Sequence, residues 1–507
     1  MSETARLVAI VLAWSIPSVA HAERRELSLA DAITIALKHN QDIYIAKTDT
    51  AIAATDIELA GSVFAPHLVG ELRLWANQQP GSSTNIESSE TAVSGNLELN
   101  GKIATGLTYA LSLGTISERI DGFGIAYRPA TTSALTLTVT QPLLRGGGRA
   151  NRAPIVVATR RREASEAQLR VRLEQITGDV IVAYWTLVLA YKEVEARQSS
   201  FKLAQDQLAD SMRLSKLGTI SDLDVVEARA GVGKQQQLLV RSQQAIVDAE
   251  SKLRNIIFGA GALADTDVIV PKDDPEIAPQ PAELDPHLEL ARKNRPDVVA
   301  ARAALRAEQA GLVETKNGLL PQLDVFATGG LIGFAGEPDD GLVGVTFDPK
   351  YTGGVGKSFS NIASTGQYTV SVGLRLDLPL DNSAARARHD RQRHLLARAK
   401  LSEDKVLAEI SNQVRTSIRL LKSDEALKKI ADEVVADNDK LLKGMRKRFA
   451  GGTITSFEVL RVADELSRAQ IEAARARASY RVSLARLATS DGTLLQSLNI
   501  SIASLRK

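Results

Sequence analysis

The feature that most limits what this chain can fold into is a helical stretch that nothing breaks. Between Pro154 and Leu217 there is no further proline and a single glycine, Gly178. Within it Leu169, Leu173, Ile176, Val180, Ala183, Leu187, Ala190 and Val194 recur at alternating steps of four and three. That 3.5-residue period keeps an apolar seam facing a partner helix, the pattern of a coiled coil. At about 1.5 Å per residue the stretch makes a rod of roughly 100 Å. Leu407, Ile410, Val414, Ser417 and Leu421 repeat the spacing later in the chain. No compact domain needs such rods; a tube or a fibrous coil does. Aromatic residues are only 4% of the 507, which long helices packed through Leu, Val, Ile and Ala tolerate.

The chain also repeats itself. "ALKHNQDI" (36–43) aligns with "ARKNRPDV" (291–298), and the same offset of 255 brings "APHL" (65–68) onto "LPQL" (320–323). Further on, "TVTQPLL" (138–144) matches "RLDLPLD" (375–381), and "KLGTISDLDVVEA" (216–228) matches "AGGTITSFEVLRV" (450–462). The repeats predict this organisation: a leader at 1–22, a first repeat at 23–258, a linker at 259–285, a second repeat at 286–495 and a tail at 496–507. The linker is read from its prolines at 271, 275, 279 and 281. Each repeat opens with a helix: Ser28 and Asp31 have capping-box spacing, and Asp285-Pro286 offers a cap and a first-turn proline. Both opening helices stop before a proline, Pro66 or Pro321.

After the opening helices the period drops to two. Leu135, Leu137 and Val139 alternate with Thr136, Thr138 and Thr140. Tyr368, Val370, Val372, Leu374, Leu376 and Leu378 alternate with Thr369, Ser371, Gly373, Arg375 and Asp377. Such strands have one apolar and one polar face, which suits a sandwich or a membrane barrel. The first repeat carries further alternation at 92–115, with Asn100-Gly101 as the expected hairpin turn.

The N-terminus has a short apolar run, Leu7 to Val19, ending in Ala20-His21-Ala22. The run is too short to span a bilayer, and A-x-A is a cleavage signature, so export with cleavage after Ala22 is expected. The longest later apolar stretch, 180–191, is also too short for a helical anchor. The chain has no cysteine, which excludes disulfides, thiolate metal sites and a lipidated N-terminal Cys. A net charge of +2 gives no reason to expect nucleic acid. The six histidines are scattered, with no metal-binding spacing, no Ser-His-Asp grouping and no phosphate loop, so neither an enzyme nor a cofactor or metal site is expected. "RRRE" (160–163) and "RARHDRQRH" (386–394) open both long helices, as a positive band or as solvated faces.

Taken together, the opening "LSLADAITIALKHNQDI" with its copy "ELARKNRPDV", the strand ends "TQPLL" and "LDLPL", and the two Gly-Thr bends resemble the TolC-like outer membrane efflux protein family. The resemblance covers essentially the whole mature chain. It implies a mixed fold, all-α plus β-barrel: a homotrimer sharing one barrel in the outer membrane, continued by a long periplasmic α-helical barrel. It implies two strands per repeat, hence four per chain. It implies a passive exit duct for a tripartite efflux pump or type I secretion system, meeting a periplasmic adaptor, an inner-membrane pump and outer-membrane lipid. The bends would be the adaptor-docking tips, through Leu217, Gly218, Thr219 and Ser221 and through Gly451, Gly452, Thr453 and Thr455. Asp224, Glu227, Glu458 and Arg461 would line the periplasmic aperture. Family members carry a D-V-L-D-like pattern there; Glu458 retains the acid and Arg461 departs from it, with Glu458, Asp224 or Glu227 as its possible partners. The heptads alone would also suit a coiled-coil structural or adhesive surface protein without transport activity.

Overall fold

In the computed structural model the described residues are 24–79, 88–121, 125–259, 268–342, 344–451, 453–498 and 500. The expected leader with Ala20 and Ala22, the glycine Gly452 and the tail beyond 500 lie outside them. The first repeat runs β1 (Arg24–Leu27), α1 (Leu29–His39), α2 (Gln41–Gly61), β2 (His67–Gln79), β3 (Ser88–Lys102), β4 (Thr108–Asp121), β5 (Tyr127–Pro142), α3 (Ala153–Lys216) and α4 (Asp222–Phe258). There follow β6 (Val268–Pro271), α5 (Leu284–Asn294), α6 (Pro296–Asn317), β7 (Gln322–Pro338), α7 (Val355–Ser364), β8 (Gln367–Asp377), α8 (Ser383–Ala450), α9 (Ser456–Ser490) and α10 (Leu494–Ser497). α5, α6 and β7 each begin 255 residues after α1, α2 and β2, so the repeat read from sequence is also a repeat of elements.

Contacts divide the chain into two units, each drawing on both repeats: residues 1–45, 170–295 and 409–507, and residues 46–169 and 296–408. The first unit is helical. Leu173, Ile176, Val180, Ala183, Leu187, Ala190 and Val194 of α3 are all buried, as their spacing predicts. On α8 Ile410, Val414 and Leu421 are buried, but Ile418 takes the place expected of Ser417, which is half-exposed. An 18-residue window of the α3 helix is apolar enough to cross a membrane by composition, yet 67% of it is buried inside the chain, as in a core helix. Ser28 caps α1 as predicted, accepting from Asp31 N at 3.2 Å and donating to the Asp31 carboxylate at 2.6 Å. In the second repeat the cap position is Glu283, without a side-chain bond, and Asp285 and Pro286 lie inside the first turn.

The segment between the repeats is clasped by this helical unit. β6 pairs in parallel with β1. The Tyr184 hydroxyl donates to the Leu27 carbonyl at 3.0 Å and to Asp273 at 2.7 Å, and Asp273 also accepts from Leu29 N at 2.7 Å. Burial, with the Asp273 bond second, pushes the Tyr184 phenol well above its ordinary pKa. Arg481 donates to the carbonyls of Asp274, Pro275 and Glu276, and Tyr480 accepts from Gln280 N. Within this proline-containing linker the Arg481 side chain satisfies three backbone carbonyls.

The second unit holds a six-stranded antiparallel sheet in the order β2-β3-β4-β5-β7-β8, not the four strands the resemblance implies. The additional pair is the β3–β4 hairpin, inserted in full register between β2 and β5. Its turn is not Asn100-Gly101. Those residues lie inside β3, opposite Ala110 and Tyr109. A Cβ on residue 101 would come within 2.6 Å of the Tyr109 hydroxyl, so this glycine makes room for a ring. The chain reverses at 103–107 around Gly106, whose φ of 99° is left-handed.

Candidate functional site: a two-faced sheet and two helical bends

Side-chain parity carries across all six strands. Leu68, Leu72 and Leu74 of β2 share a face with Val93, Leu97 and Leu99 of β3, and with Tyr109, Leu111 and Leu113 of β4. The register continues it through Leu135, Leu137 and Val139 of β5 to Val325 and Leu331 of β7 and to Tyr368, Val370, Val372, Leu374 and Leu376 of β8. Most of these side chains are exposed; Val372 is 73% exposed. The opposite face carries Glu71, Arg73, Ser94, Asn96, Glu98, Ser112, Thr136, Thr138, Thr140, Thr328, Ser371 and Arg375. An apolar area this large cannot face water in a stable chain. Among the described residues the two outer strands, β2 and β8, each have one edge unpaired in the sheet and run antiparallel to each other.

The two bends close alike. Gly218, with a φ of 70°, ends α3; its N–H donates to the Ser215 carbonyl, and Thr219 N donates to the Leu214 carbonyl five residues back at 3.0 Å. In the second bend Thr453 N donates to the Arg448 carbonyl, again five back, at 3.1 Å, and the Thr453 hydroxyl donates to the same oxygen. Ser221 then caps α4 in a capping box with Asp224, and Thr455 caps α9 by accepting from Glu458 N. Both bends line one groove of about 470 Å³, with Leu203, Gln207, Thr219 and Ile220 meeting Phe449, Gly451 and Ile454. Leu217, Leu223 and Val226 in the first bend and Phe457 in the second are largely exposed.

Among the described residues no ion pair joins the four aperture candidates. Asp224 is spent on the Ser221 cap, Glu227 is exposed, and Glu458 is half-buried beside Thr455. Arg461 pairs with Glu465, one turn further along α9, at 3.0 Å, and not with Glu458, Asp224 or Glu227. The i,i+4 spacing on its own helix makes that pairing short-range and easy to reach. Likewise Arg160 and Arg162 pair with Glu163 and Glu166 on α3, and Arg393 with Asp390 on α8.

Sequence reasoning missed the main ionic centre near the bends. Asp464 of α9 is buried, 3.1 Å from Lys234 Nζ of α4, 2.9 Å from Arg468 Nη2 and 3.8 Å from Arg197 Nη1 of α3. Burial raises its pKa, but the hydrogen bond and charge of Lys234, then the charge of Arg468 and a bond from Gln235, outweigh it and hold the carboxyl below the ordinary value. An acid standing among Val462, Ala463 and Leu466 was the available signal.

Comparison with known proteins decides the family. The model of outer membrane efflux proteins matches twice, at 32–257 and 287–493, once on each repeat. The chain belongs to the outer membrane efflux protein family. It is an outer-membrane protein of a family of transport channels. Its fold is similar to that of the outer-membrane channel OprN, at 18% identity and a TM-score of 0.66, covering 92% of this chain and 90% of that one. The Campylobacter jejuni CmeC outer membrane channel aligns at 13% identity and a TM-score of 0.64, covering 94% and 89%. The Neisseria gonorrhoeae MtrE outer membrane channel in its open state aligns at 15% and 0.62, covering 92% and 89%. No curated protein matches the chain in sequence.

Proposed function

We propose that three copies of this chain form a passive exit duct through the outer membrane. The observation that carries this reading is the sheet with one apolar face, one polar face and two free antiparallel edges. A bilayer accepts only β-structure whose backbone groups are all paired, so the β2 edge of one copy joins the β8 edge of the next until the wall closes. Three six-stranded sheets give an eighteen-stranded wall. Its apolar face meets lipid, and the Thr, Ser, Glu and Arg face lines water.

The long helices extend into the periplasm, and the bends dock an adaptor. Leu217, Gly218, Thr219 and Ser221, with Gly451, Gly452, Thr453 and Thr455, form the docking tips. Exposed Leu223 and Phe457, at matching positions, add apolar contacts. Asp224, Glu227, Glu458 and Arg461 line the aperture, where negative charge favours cations. An inner-membrane pump supplies the energy, in efflux or in type I secretion.

Purified protein in planar bilayers is expected to give stable single-channel steps and to run as a heat-labile trimer. A folded protein that inserts but never conducts would overturn the duct. Gly218→Val tests the tips separately. Nothing lies within 4 Å of a Cβ built there, so the cost is backbone strain alone, about 1–2 kcal/mol. Trimer and conductance are expected to persist while crosslinking of an adaptor to a Ser221→Cys probe falls; unchanged crosslinking would make the bend a mere turn.

A further inference from the structure

The helix α7 packs two polar side chains and one apolar one inward and leaves two apolar side chains partly exposed. Its buried residues are Ser358, Asn361 and Ile362, whereas Val355 and Phe359, one turn apart, are 44% and 36% exposed. Ser358 Oγ lies 2.6 Å from Ser133 Oγ of β5, and Asn361 Nδ2 donates to the carbonyls of Phe334 and Lys350 at 2.7 and 2.9 Å. The approach is close because residue 333 is glycine: a Cβ there would sit 2.0 Å from the Ser358 carbonyl oxygen. The helix thus docks through Ser358, Asn361 and Ile362 and leaves Val355 and Phe359 outward.

Register places α7 on the apolar face. Ser133 has the parity of Leu135 and Leu137, and Gly333 that of Leu331. The apolar runs on that face are unequal. On β8 the run from Tyr368 to Leu376 spans about 26 Å, but on β4 and β5 the runs Tyr109–Leu113 and Val139–Leu135 span only about 13 Å. Past Leu113 and Leu135 the same face continues as Thr115, Ser117, Ser133 and Thr131, joined by hydrogen bonds of 3.0 Å (Ser133 to Thr115) and 2.9 Å (Ser117 with Thr131). α7 covers this hydroxyl patch, leaving Thr131 and Ser133 buried.

We propose that α7 lies in the outer bilayer–water interface, with Val355 and Phe359 in lipid. It restores the apolar belt where β4 and β5 interrupt it. The inference rests on the reading of the apolar sheet face as lipid-facing. Lipid is the occupant because the outward pair continues the belt above Leu331 and Tyr368, and because exposed Lys350 precedes the helix and exposed Lys357 stands in its first turn, where headgroup phosphates lie.

The absence of cysteine permits a clean test. Nitroxide labels are placed singly through Phe359→Cys, Val372→Cys and Asp340→Cys in the full chain, in phosphatidylethanolamine–phosphatidylglycerol vesicles. Collision with oxygen, which concentrates in lipid, is compared with collision with a water-soluble nickel chelate. The label at 359 is expected to favour oxygen several-fold over the label at 340, as the label at 372 does. Nickel access at 359 equal to that at 340, with 372 still in lipid, overturns the placement of α7 alone. Nickel access at 372 overturns the membrane wall and the inference together. Spin–spin broadening at 359 would reveal a second copy on α7 and also overturn it. If the variant at 359 does not fold, Val355→Cys gives the same readout.

Discussion

Along α3 one helix is built in two ways. From Leu173 to Val194 the 3.5-residue seam is aliphatic, with Glu174, Thr177, Tyr184 and Trp185 buried beside it. From Ser200 onward the spacing persists, yet the buried residues become Ser200, Ala204, Gln207 and Ser211. The helix beyond the bend agrees: Ala228, Gln235, Ser242 and Ala249 of α4 are buried seven residues apart. Near the bends Gln207 Nε2, Ser211 Oγ, Gln235 Oε1, Ser456 Oγ and Ser467 Oγ are buried with no hydrogen-bond partner. Aliphatic burial contributes about 25 cal/mol per Å², whereas a buried unpaired polar atom costs about 1–3 kcal/mol. The aliphatic seam therefore fixes the middle of α3, whereas its bend-side end buries polar positions beside the apolar cluster of Leu442, Val459, Val462, Ala463 and Leu466.

The largest effect should come from breaking the aliphatic seam. Leu187→Ala removes a fully buried side chain and is expected to destabilise the folded chain by about 3 kcal/mol in a chemical denaturation midpoint. A loss below about 1 kcal/mol would mean that the seam is already loose.

Asp464 should matter next. Asp464→Asn leaves Lys234, Arg468 and Arg197 facing one another without a carboxylate, at a cost of about 2 kcal/mol. The folded-state pKa lies below the unfolded value of about 3.9, so the contribution is fully present at neutral pH and is lost as pH falls below about 4. Wild-type stability should show that acid loss, and the variant should show a shallower one. Indistinguishable acid limbs would remove Asp464 as the centre that organises the bend-side end.

The smallest effect has the opposite sign. Gln207→Met replaces a buried side chain whose amide nitrogen has no partner by one of similar length and is expected to stabilise by about 1 kcal/mol. Conductance should fall at the same time if repacking near the bends opens the duct. Stabilisation without any change in conductance would separate the polar packing from opening.

What was legible in the sequence was what repeats. The seam of α3, the offset of 255 and the alternation of β5 and β8 recur often enough to outweigh local accidents. Single-residue signals fared worse. Asn100-Gly101 has hairpin chemistry, yet Gly101 serves the Tyr109 ring and Gly106 makes the turn. The prolines mark the linker, but the side chains that hold it, Tyr184, Tyr480 and Arg481, stand far away in sequence and could not be read from it. α7 is only ten residues long, and its apolar positions Val355, Phe359 and Ile362 make a stripe too short to stand out beside the long strands that flank it. The cluster around Asp464 joins α3, α4 and α9, which no spacing within one helix reveals.

The most direct test of the duct uses two adjacent residues of β8. Ser371 belongs to the polar face and Val372 to the apolar face. In the cysteine-free chain Ser371→Cys and Val372→Cys are treated with a charged, membrane-impermeant thiol reagent while single channels are recorded. Conductance is expected to drop in steps for the variant at 371 and to stay constant for the variant at 372. Modification at 372 with 371 silent, or equal modification of both, would contradict a wall with lipid on one face and water on the other.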